Sequence, residues 1–400
     1  MPDISSRGNT IPASPIRKLT PLADEAKRQG VKVYHLNIGQ PDLPTPPQAI
    51  EALRKLDRKT LEYSPSDGYR PLREKFVQYY RRFGIDVSPD EIIITAGGSE
   101  ALLYTFFSCF DAGDEVIMTE PCYANYISFA KTCGIVMKTV PSHIKDGFAL
   151  PAPETFENAI TQKTKGILLC NPNNPTGYLY SRKELETIRD IVRRHNLFLV
   201  CDEVYREFVY AEEPFLSSML LEGIRDNVVM IDSVSKRYSE CGIRIGMVVT
   251  HNSKVHDTVM KYCQARLSPP LLGQIAAAAS IDGTEQYSAD CYKEYRERRD
   301  LLIEGLNRIP GVFSPVPNGA FYTVASLPVE NAEDFCKWLL TDFRYEGETV
   351  MMAPAAGFYS TPGLGLNEVR MAYVLKKEDL RRALLVLEKA LEVYPKRTLR

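Results

Sequence analysis

Between about Ala49 and Val249, short β-branched runs alternate with helical stretches, and several of those runs are apolar at almost every position. Ile92 to Thr95, Glu115 to Met118, Gly166 to Cys170, Leu197 to Cys201, Val228 to Ile231 and Ile245 to Val249 read as buried strands. A strand with one wet face alternates polar and apolar residues, whereas a continuous apolar run needs cover on both faces. The intervening segments, such as Arg182 to His195, have the length of right-handed crossovers. The pattern predicts an α/β chain with a mostly parallel sheet sandwiched by helices.

The chain outside that block reads differently. Residues 1 to 15 are polar and broken by prolines, which predicts an arm. Ile16, Leu19, Leu22, Ala23 and Ala26 recur at threes and fours, with Gly30 as a stop. Asn37-Ile38-Gly39-Gln40-Pro41-Asp42, followed by Pro44, Pro46 and Pro47, marks a loop or hinge. Val255 to Ile309 looks helical. Beyond it, Gly311 to Ser326, Thr349 to Met352 and Glu368 to Val374 read as strands, with helices over Glu333 to Phe343 and Lys377 to Tyr394. That is α+β character. At 400 residues the chain exceeds one ordinary domain. The expected division is an arm and helix over 1–48 that belong with a smaller domain, a large domain over 49–305, and the small C-terminal domain over 306–400.

Charge narrows the partners. Lys+Arg 49 against Asp+Glu 51 leaves a net charge of -2, so nothing global favours nucleic acid or an anionic membrane. No apolar run approaches the ~20 residues of a membrane span, and the N-terminus lacks the apolar core of a signal peptide. The nine cysteines are scattered without a C-x-x-C pair, as expected of buried thiols in a reducing, cytoplasmic compartment. His35, His143, His195, His251 and His256 show no metal spacing.

Ligands of open α/β sheets sit at the carboxyl ends of the strands. Ile92 to Thr95 runs into Ala96-Gly97-Gly98-Ser99-Glu100, a glycine turn opening a helix: an anion site, or a tight turn with Ser as cap. Gly166 to Cys170 ends in Asn171-Pro172-Asn173-Asn174-Pro175-Thr176-Gly177, a rigid turn with aimed amides. Leu197 to Cys201 delivers Asp202 and Glu203, with Tyr205 just after. A carboxylate leaving an apolar strand needs a cation, unless it is a cap or lies at the surface. Val228 to Ile231 leads to Ser233-Val234-Ser235-Lys236 and then Gly242-Ile243-Arg244. That lysine is an amine nucleophile or simply solvated. Together the four strand ends supply what pyridoxal phosphate requires: phosphate donors, a partner for the phenolic oxygen, an acid for the pyridine nitrogen and a Schiff-base lysine.

In these motifs the chain resembles the class I aminotransferases of fold type I, from Asn37-Ile38-Gly39-Gln40-Pro41-Asp42 to Arg370. The resemblance implies a seven-stranded large domain and a smaller α+β domain. It implies that Lys236 carries the cofactor and shuttles a proton, that Asp202 pairs with the pyridine nitrogen, and that Asn174 and Tyr205 hold the phenolic oxygen. Gly98, Ser99, Ser233 and Arg244 would bind phosphate, Glu100 contributing at most a backbone N–H. Tyr123 would stack on the ring, Arg370 would grip the substrate α-carboxylate, and Gly39 would lie beside it. Tyr63 would reach the phosphate of a neighbouring subunit, implying a homodimer with the arm packed across it.

The implied reaction moves the amino group of an L-amino acid, aspartate or an aromatic one, to a 2-oxo acid such as 2-oxoglutarate. A β-lyase or a 1-aminocyclopropane-1-carboxylate synthase would keep the same lysine. A non-catalytic effector sensor would need a DNA-binding module ahead of Gly39. The chain departs from the family pattern at Arg237, Glu240-Cys241, Ile243 and Pro354-Ala355-Ala356-Gly357-Phe358. No arginine is assigned from sequence to a second substrate carboxylate.

Overall fold

In the computed structural model, which describes residues 2–398, local signals settle most elements. The helix Arg182–His195 shows how. Ser181 and Glu184 form a capping box at its start, and Asn196, in the left-handed region at φ 49°, ends it. The strands in chain order are β1 (Lys32–His35), β2 (Ile92–Thr95), β3 (Glu115–Glu120), β4 (Val136–Pro141), β5 (Thr164–Cys170) and β6 (Phe198–Asp202). They continue with β7 (Val228–Ser233), β8 (Gly246–Val249), β9 (Tyr322–Ser326), β10 (Glu348–Met351), β11 (Ala353–Pro354) and β12 (Glu368–Ala372).

Seven of them form one sheet in the order β2-β8-β7-β6-β5-β3-β4. Strands β3 to β7 pair in parallel, and β8 alone runs against its neighbours β7 and β2. Side chains alternate across it: Val200 and Ile231 enter a core shared with Phe321 and Leu387, whereas Leu199 and Met230 enter a second core on the other face. Both faces are covered, as the uniformly apolar runs require.

Strand β4 escapes the apolar-run pattern because it lies at the sheet edge, where Lys138 and other half-exposed positions interrupt it. The segment from Gly311 forms a continuous strand only from Tyr322, with an isolated bridge of Phe313 to Ser326 before it. Pro315 and Pro317 have no N–H to pair, and Ala320 sits at φ 56°. The helical pattern from Ile16 becomes a helix only at Thr20–Arg28, where Pro21 favours a first turn. The polar arm contains one short helix, Ser6–Thr10, capped by Ser5.

The C-terminal layer holds a three-stranded antiparallel sheet, β11-β12-β9, and a parallel pair of β1 with β10. Leu36 joins these two sheets: its N–H donates to Met351 and its carbonyl accepts from Ala372. The loop after β1 is thereby registered against β12.

Beneath the sheet lies a charge cluster sealed from water. Arg237 donates to both oxygens of Asp232 at 2.8 and 2.6 Å, and Tyr80 adds a third bond at 3.0 Å. Arg206 lies 3.0 Å from Glu203 and 3.6 Å from Asp232. Burial alone would push Asp232 up, but Arg206 and Arg237 outweigh it and hold the pKa below the usual value. Removing one partner of such a buried pair costs about 3–5 kcal/mol, because the other charge stays buried. Arg237→Gln is therefore expected to lower unfolding free energy by about 3 kcal/mol, the low end because Arg206 remains. Urea denaturation checks this, and a change below about 0.5 kcal/mol, the range of ordinary surface substitutions, would refute it.

Candidate active site

At the carboxyl ends of β5, β6 and β7 the sheet opens onto a cavity of about 670 Å³. Its first wall is the β2–helix turn. Gly97, at φ 84°, is pressed against Arg244: a Cβ there would lie 2.3 Å from the guanidinium. Gly246, paired with Thr95 across β2 and β8, is equally confined, since its Cβ would lie 2.4 Å from the Gly97 carbonyl carbon. Arg244 donates to the carbonyls of Cys241 and Ala96 at 3.0 and 3.4 Å. Its charge thus stands beside the N-terminus of the helix Gly98–Cys109, and both favour an anion. Gly98 and Ser99 line this wall.

Glu100 does not line it. Its carboxylate accepts from the Ala96 N–H at 2.7 Å and lies 3.3 Å from Arg266, and its own N–H donates to the Gly97 carbonyl. With its carboxylate and N–H so engaged, the residue secures the first turn of the helix.

The floor comes from β7. Ser233 Oγ donates to the Ile245 carbonyl at 2.8 Å and accepts from the Ser235 N–H at 3.1 Å, capping the short helix Val234–Arg237. That helix presents Lys236, whose Nζ donates to the Gly39 carbonyl at 2.9 Å and lies 3.8 Å from Cys241 Sγ. Asp202 ends β6 in the cavity, 6% exposed, while Glu203 turns to the buried charge cluster. Tyr126 donates to Asp202 Oδ2 at 2.7 Å and the Val204 N–H to Oδ1 at 3.3 Å. Burial pushes the Asp202 pKa up to about 6 against both hydrogen bonds.

A chain of polar groups crosses the remaining wall. Asn174 Nδ2 donates to Tyr205 Oη at 3.4 Å, Tyr205 and Tyr322 share a bond at 3.2 Å, and Tyr322 Oη donates to the Gly39 carbonyl at 3.4 Å. Only glycine fits at 39, because a Cβ would lie 1.8 Å from Tyr322 Oη. Arg370, on β12, donates to Asn174 Oδ1 at 3.3 Å and to the Asn37 carbonyl. It stacks between Tyr322 and Phe358, and its Nε has no partner. Burial lowers its pKa, and no carboxylate among the described residues offsets that burial. Tyr123 lines the cavity edge-on to Tyr126, its hydroxyl accepting from Asn125 at 2.8 Å.

Eleven residues singled out by sequence meet here: Gly39, Gly98, Ser99, Tyr123, Asn174, Asp202, Tyr205, Ser233, Lys236, Arg244 and Arg370. Tyr63 does not; it stands on the surface, 75% exposed. Sequence reasoning missed Arg17, Tyr126, Cys241 and Tyr322, which also line the cavity. Tyr126 lies three residues after Tyr123, which was its one signal, whereas nothing in sequence marked Arg17 or Tyr322. Of the departures, Arg237 points into the buried cluster and Glu240 is buried against Ser280. Among the described residues no three His, Cys, Asp or Glu side chains group as metal ligands, and no helix is long and apolar enough to cross a membrane.

An anion cradle, a buried carboxylate and an amine at neighbouring strand ends define an α/β enzyme that holds a phosphate-bearing, cationic ring beside a lysine. The family model for aminotransferase class I and II matches residues 31–387. The aspartate aminotransferase of Pyrococcus horikoshii is 31% identical over 395 residues, 97% of this chain and 97% of that protein. The aspartate/prephenate aminotransferase of Thermus thermophilus is 31% identical over 391 residues, 96% of this chain and 97% of that one. Among solved structures, the Thermus thermophilus aspartate aminotransferase with maleate superposes with a TM-score of 0.88 at 30% identity, covering 98% of this chain and 100% of that one.

The chain belongs to the class I and II aminotransferase family. It is a fold-type I transaminase, and its cofactor is pyridoxal 5′-phosphate. The residues fit that group: the glycine-lined cradle is positively charged, and among the described residues no cation pairs with buried Asp202 and no carboxylate pairs with Lys236.

Proposed function

We propose that this aminotransferase takes its amino group from aspartate or an aromatic amino acid and passes it to a 2-oxo acid such as 2-oxoglutarate. The relatives named for aspartate support the first donor. The carrying observation is Arg370: a buried guanidinium with an unpartnered Nε, at the Asn37–Gly39 loop that Lys236 also reaches. A substrate α-carboxylate would satisfy it as a bidentate pair and bring Cα toward the lysine.

In this reading Lys236 Nζ is the point of cofactor attachment and the base that takes and returns the Cα proton. The Gly39 carbonyl orients that amine. Asp202 would pair with the pyridine nitrogen and hold a proton there. Asn174 and Tyr205 would donate to the phenolic oxygen; Gly98, Ser99, Ser233 and Arg244 would hold the phosphate, and Tyr123 would pack on the ring. When bound, the cofactor supplies an electron sink for the pair left at Cα. The C-terminal layer, with β1, forms a second domain that closes on substrate and excludes water. The protein works as a cytoplasmic homodimer in which Tyr63 enters the neighbouring site; its exposure, with Leu61 and Leu267 exposed nearby in the fold, supports this.

Cofactor-loaded protein incubated with L-aspartate or L-phenylalanine and 2-oxoglutarate should yield glutamate. Donor alone should bleach the lysine-bound absorbance in one half-reaction. Pyruvate and ammonia released without any oxo acid would instead favour the β-lyase reading.

A further inference from the structure

The segment Pro354-Ala355-Ala356-Gly357-Phe358, where the chain departs from its family's pattern, backs the Arg370 site. It follows β11, where Ala353 pairs with Arg370 across to β12, and turns through a short 3₁₀ helix over Ala355–Phe358. Phe358 ends that helix fully buried. The Arg370 guanidinium lies 5.1 Å from its ring centre and 4.7 Å from that of Tyr322. A guanidinium held between two rings has its plane fixed. Whatever holds Phe358 therefore sets the aim of Arg370.

The segment does not hold itself. A 3₁₀ turn of this length is a weak unit, its N-cap makes no side-chain bond, and Ser360 to Gly363 beyond it are exposed. Its anchor lies on the seven-stranded sheet. Glu120, the last residue of β3, is 0% exposed. Its Oε2 accepts from the Ser360 N–H at 2.6 Å and from the Thr361 N–H at 3.2 Å. Two residues on, the Cys122 N–H donates to the Phe358 carbonyl at 2.9 Å. From the β12 side, the Tyr359 hydroxyl donates to Glu368 at 2.7 Å, two residues before Arg370. Phe358 is thus bracketed by bonds from two sheets. Glu120 Oε1 has no hydrogen-bond partner among the described residues. A carboxylate buried with one oxygen unsatisfied is a costly packing element, and an apolar side chain of similar shape would serve packing better.

We propose that Glu120 is a positioning residue for the substrate α-carboxylate. It clasps the Phe358 segment to the seven-stranded sheet and so fixes the plane in which Arg370 receives that group. The proposal rests on the aminotransfer reading above, in which Arg370 grips the substrate. Glu120 itself touches no substrate; it acts through two backbone N–H groups, Phe358 and the guanidinium.

Glu120→Ala and the isosteric Glu120→Gln test this in the cofactor-loaded enzyme. Glu120→Ala should raise KM for alanine, aspartate and phenylalanine alike by about 3- to 30-fold, with kcat little changed. The factor is common because all three donors present the same α-carboxylate. Glu120→Gln keeps an acceptor oxygen without the charge and should fall between. Calorimetric binding of maleate, a non-reacting carboxylate, should weaken by the same factor. Phe358→Leu should raise KM likewise, and Glu120→Ala should add little to it, as expected of two residues acting along one line of contacts. A merely structural role predicts fewer folded molecules, hence a lower kcat at unaltered KM. That outcome, additive effects of the two substitutions, or unaltered maleate affinity would overturn the positioning role while leaving aminotransfer standing. If Glu120→Ala does not fold, Glu120→Gln decides by the same readouts. Inactivity of the unsubstituted enzyme toward every amino donor would overturn the aminotransfer reading and this proposal with it.

Discussion

Lys236→Ala is expected to lower kcat for amino transfer by at least about 10⁴-fold, the upper range for a positioned acid–base group. The same substitution should abolish the absorbance of lysine-bound cofactor, leaving only that of free or non-covalently held aldehyde. The fold should survive, because among the described residues Nζ hydrogen-bonds to nothing beyond the Gly39 carbonyl and Cys241 Sγ. Both neighbours keep a partner: the Gly39 carbonyl accepts from Tyr322 Oη at 3.4 Å, and Cys241 Sγ donates to the Ser235 carbonyl at 3.1 Å. Steady-state rates with aspartate and 2-oxoglutarate, spectra of the reloaded variant and far-ultraviolet circular dichroism together decide the matter. A variant with normal dichroism and more than about 1% of the original kcat would remove Lys236 from the chemistry, since loss of such a group removes at least two orders of magnitude.

Asp202→Asn is expected to move stability and activity in opposite directions. Burial raises the Asp202 pKa from 3.8 to about 6 in the ligand-free protein. Between those values the folded form holds a proton that the unfolded form has released. Stability is therefore full below about pH 4, falls as pH rises and has lost about 3 kcal/mol above about pH 6. An amide escapes that penalty and still accepts from Tyr126. Ligand-free Asp202→Asn should match the unsubstituted protein near pH 4 and exceed its urea midpoint at pH 8. With cofactor bound, the lost charge should reduce kcat/KM about 10²- to 10³-fold, as for other displaced electrostatic groups. A less stable variant at pH 8 would show that Asp202 has a cationic partner of its own, contrary to the geometry. Stability surrendered at a functional carboxylate is the ordinary trade at such sites.

The strand ends were legible because their signals are local. Uniform apolar runs, the Asn-Pro turn and the Gly-Gly turn each declare themselves within ten residues, and the cavity assembles where those runs stop. The sheet order and the reversed direction of β8 were not legible, since both depend on pairings between distant segments. Strand β4 was hidden by the polar residues an edge tolerates. Tyr322 reads like any strand aromatic until Gly39 is found beneath its hydroxyl. Arg17 belongs to a segment whose spacing predicted helix, and only the turn at Ser14 aims it elsewhere. Glu203 adjoins Asp202 in sequence, yet the pleat sends the two carboxylates to opposite sides of the sheet.

The pairing of β1 with β10 also sets an order of assembly. Tyr34 donates to Glu348 across 314 residues of chain, so the N-terminal segment has no strand to join until most of the protein has been made. During synthesis the seven-stranded sheet can complete itself first, its members all lying between residues 92 and 249. The stretch carrying Arg17, Asn37 and Gly39 must wait, because closing so long a loop is rewarded only when β10 and β12 arrive. The cavity is thus finished last, by residues translated first. A chain truncated before β10 would present Lys236 and Asp202 on a formed sheet with nothing opposite them.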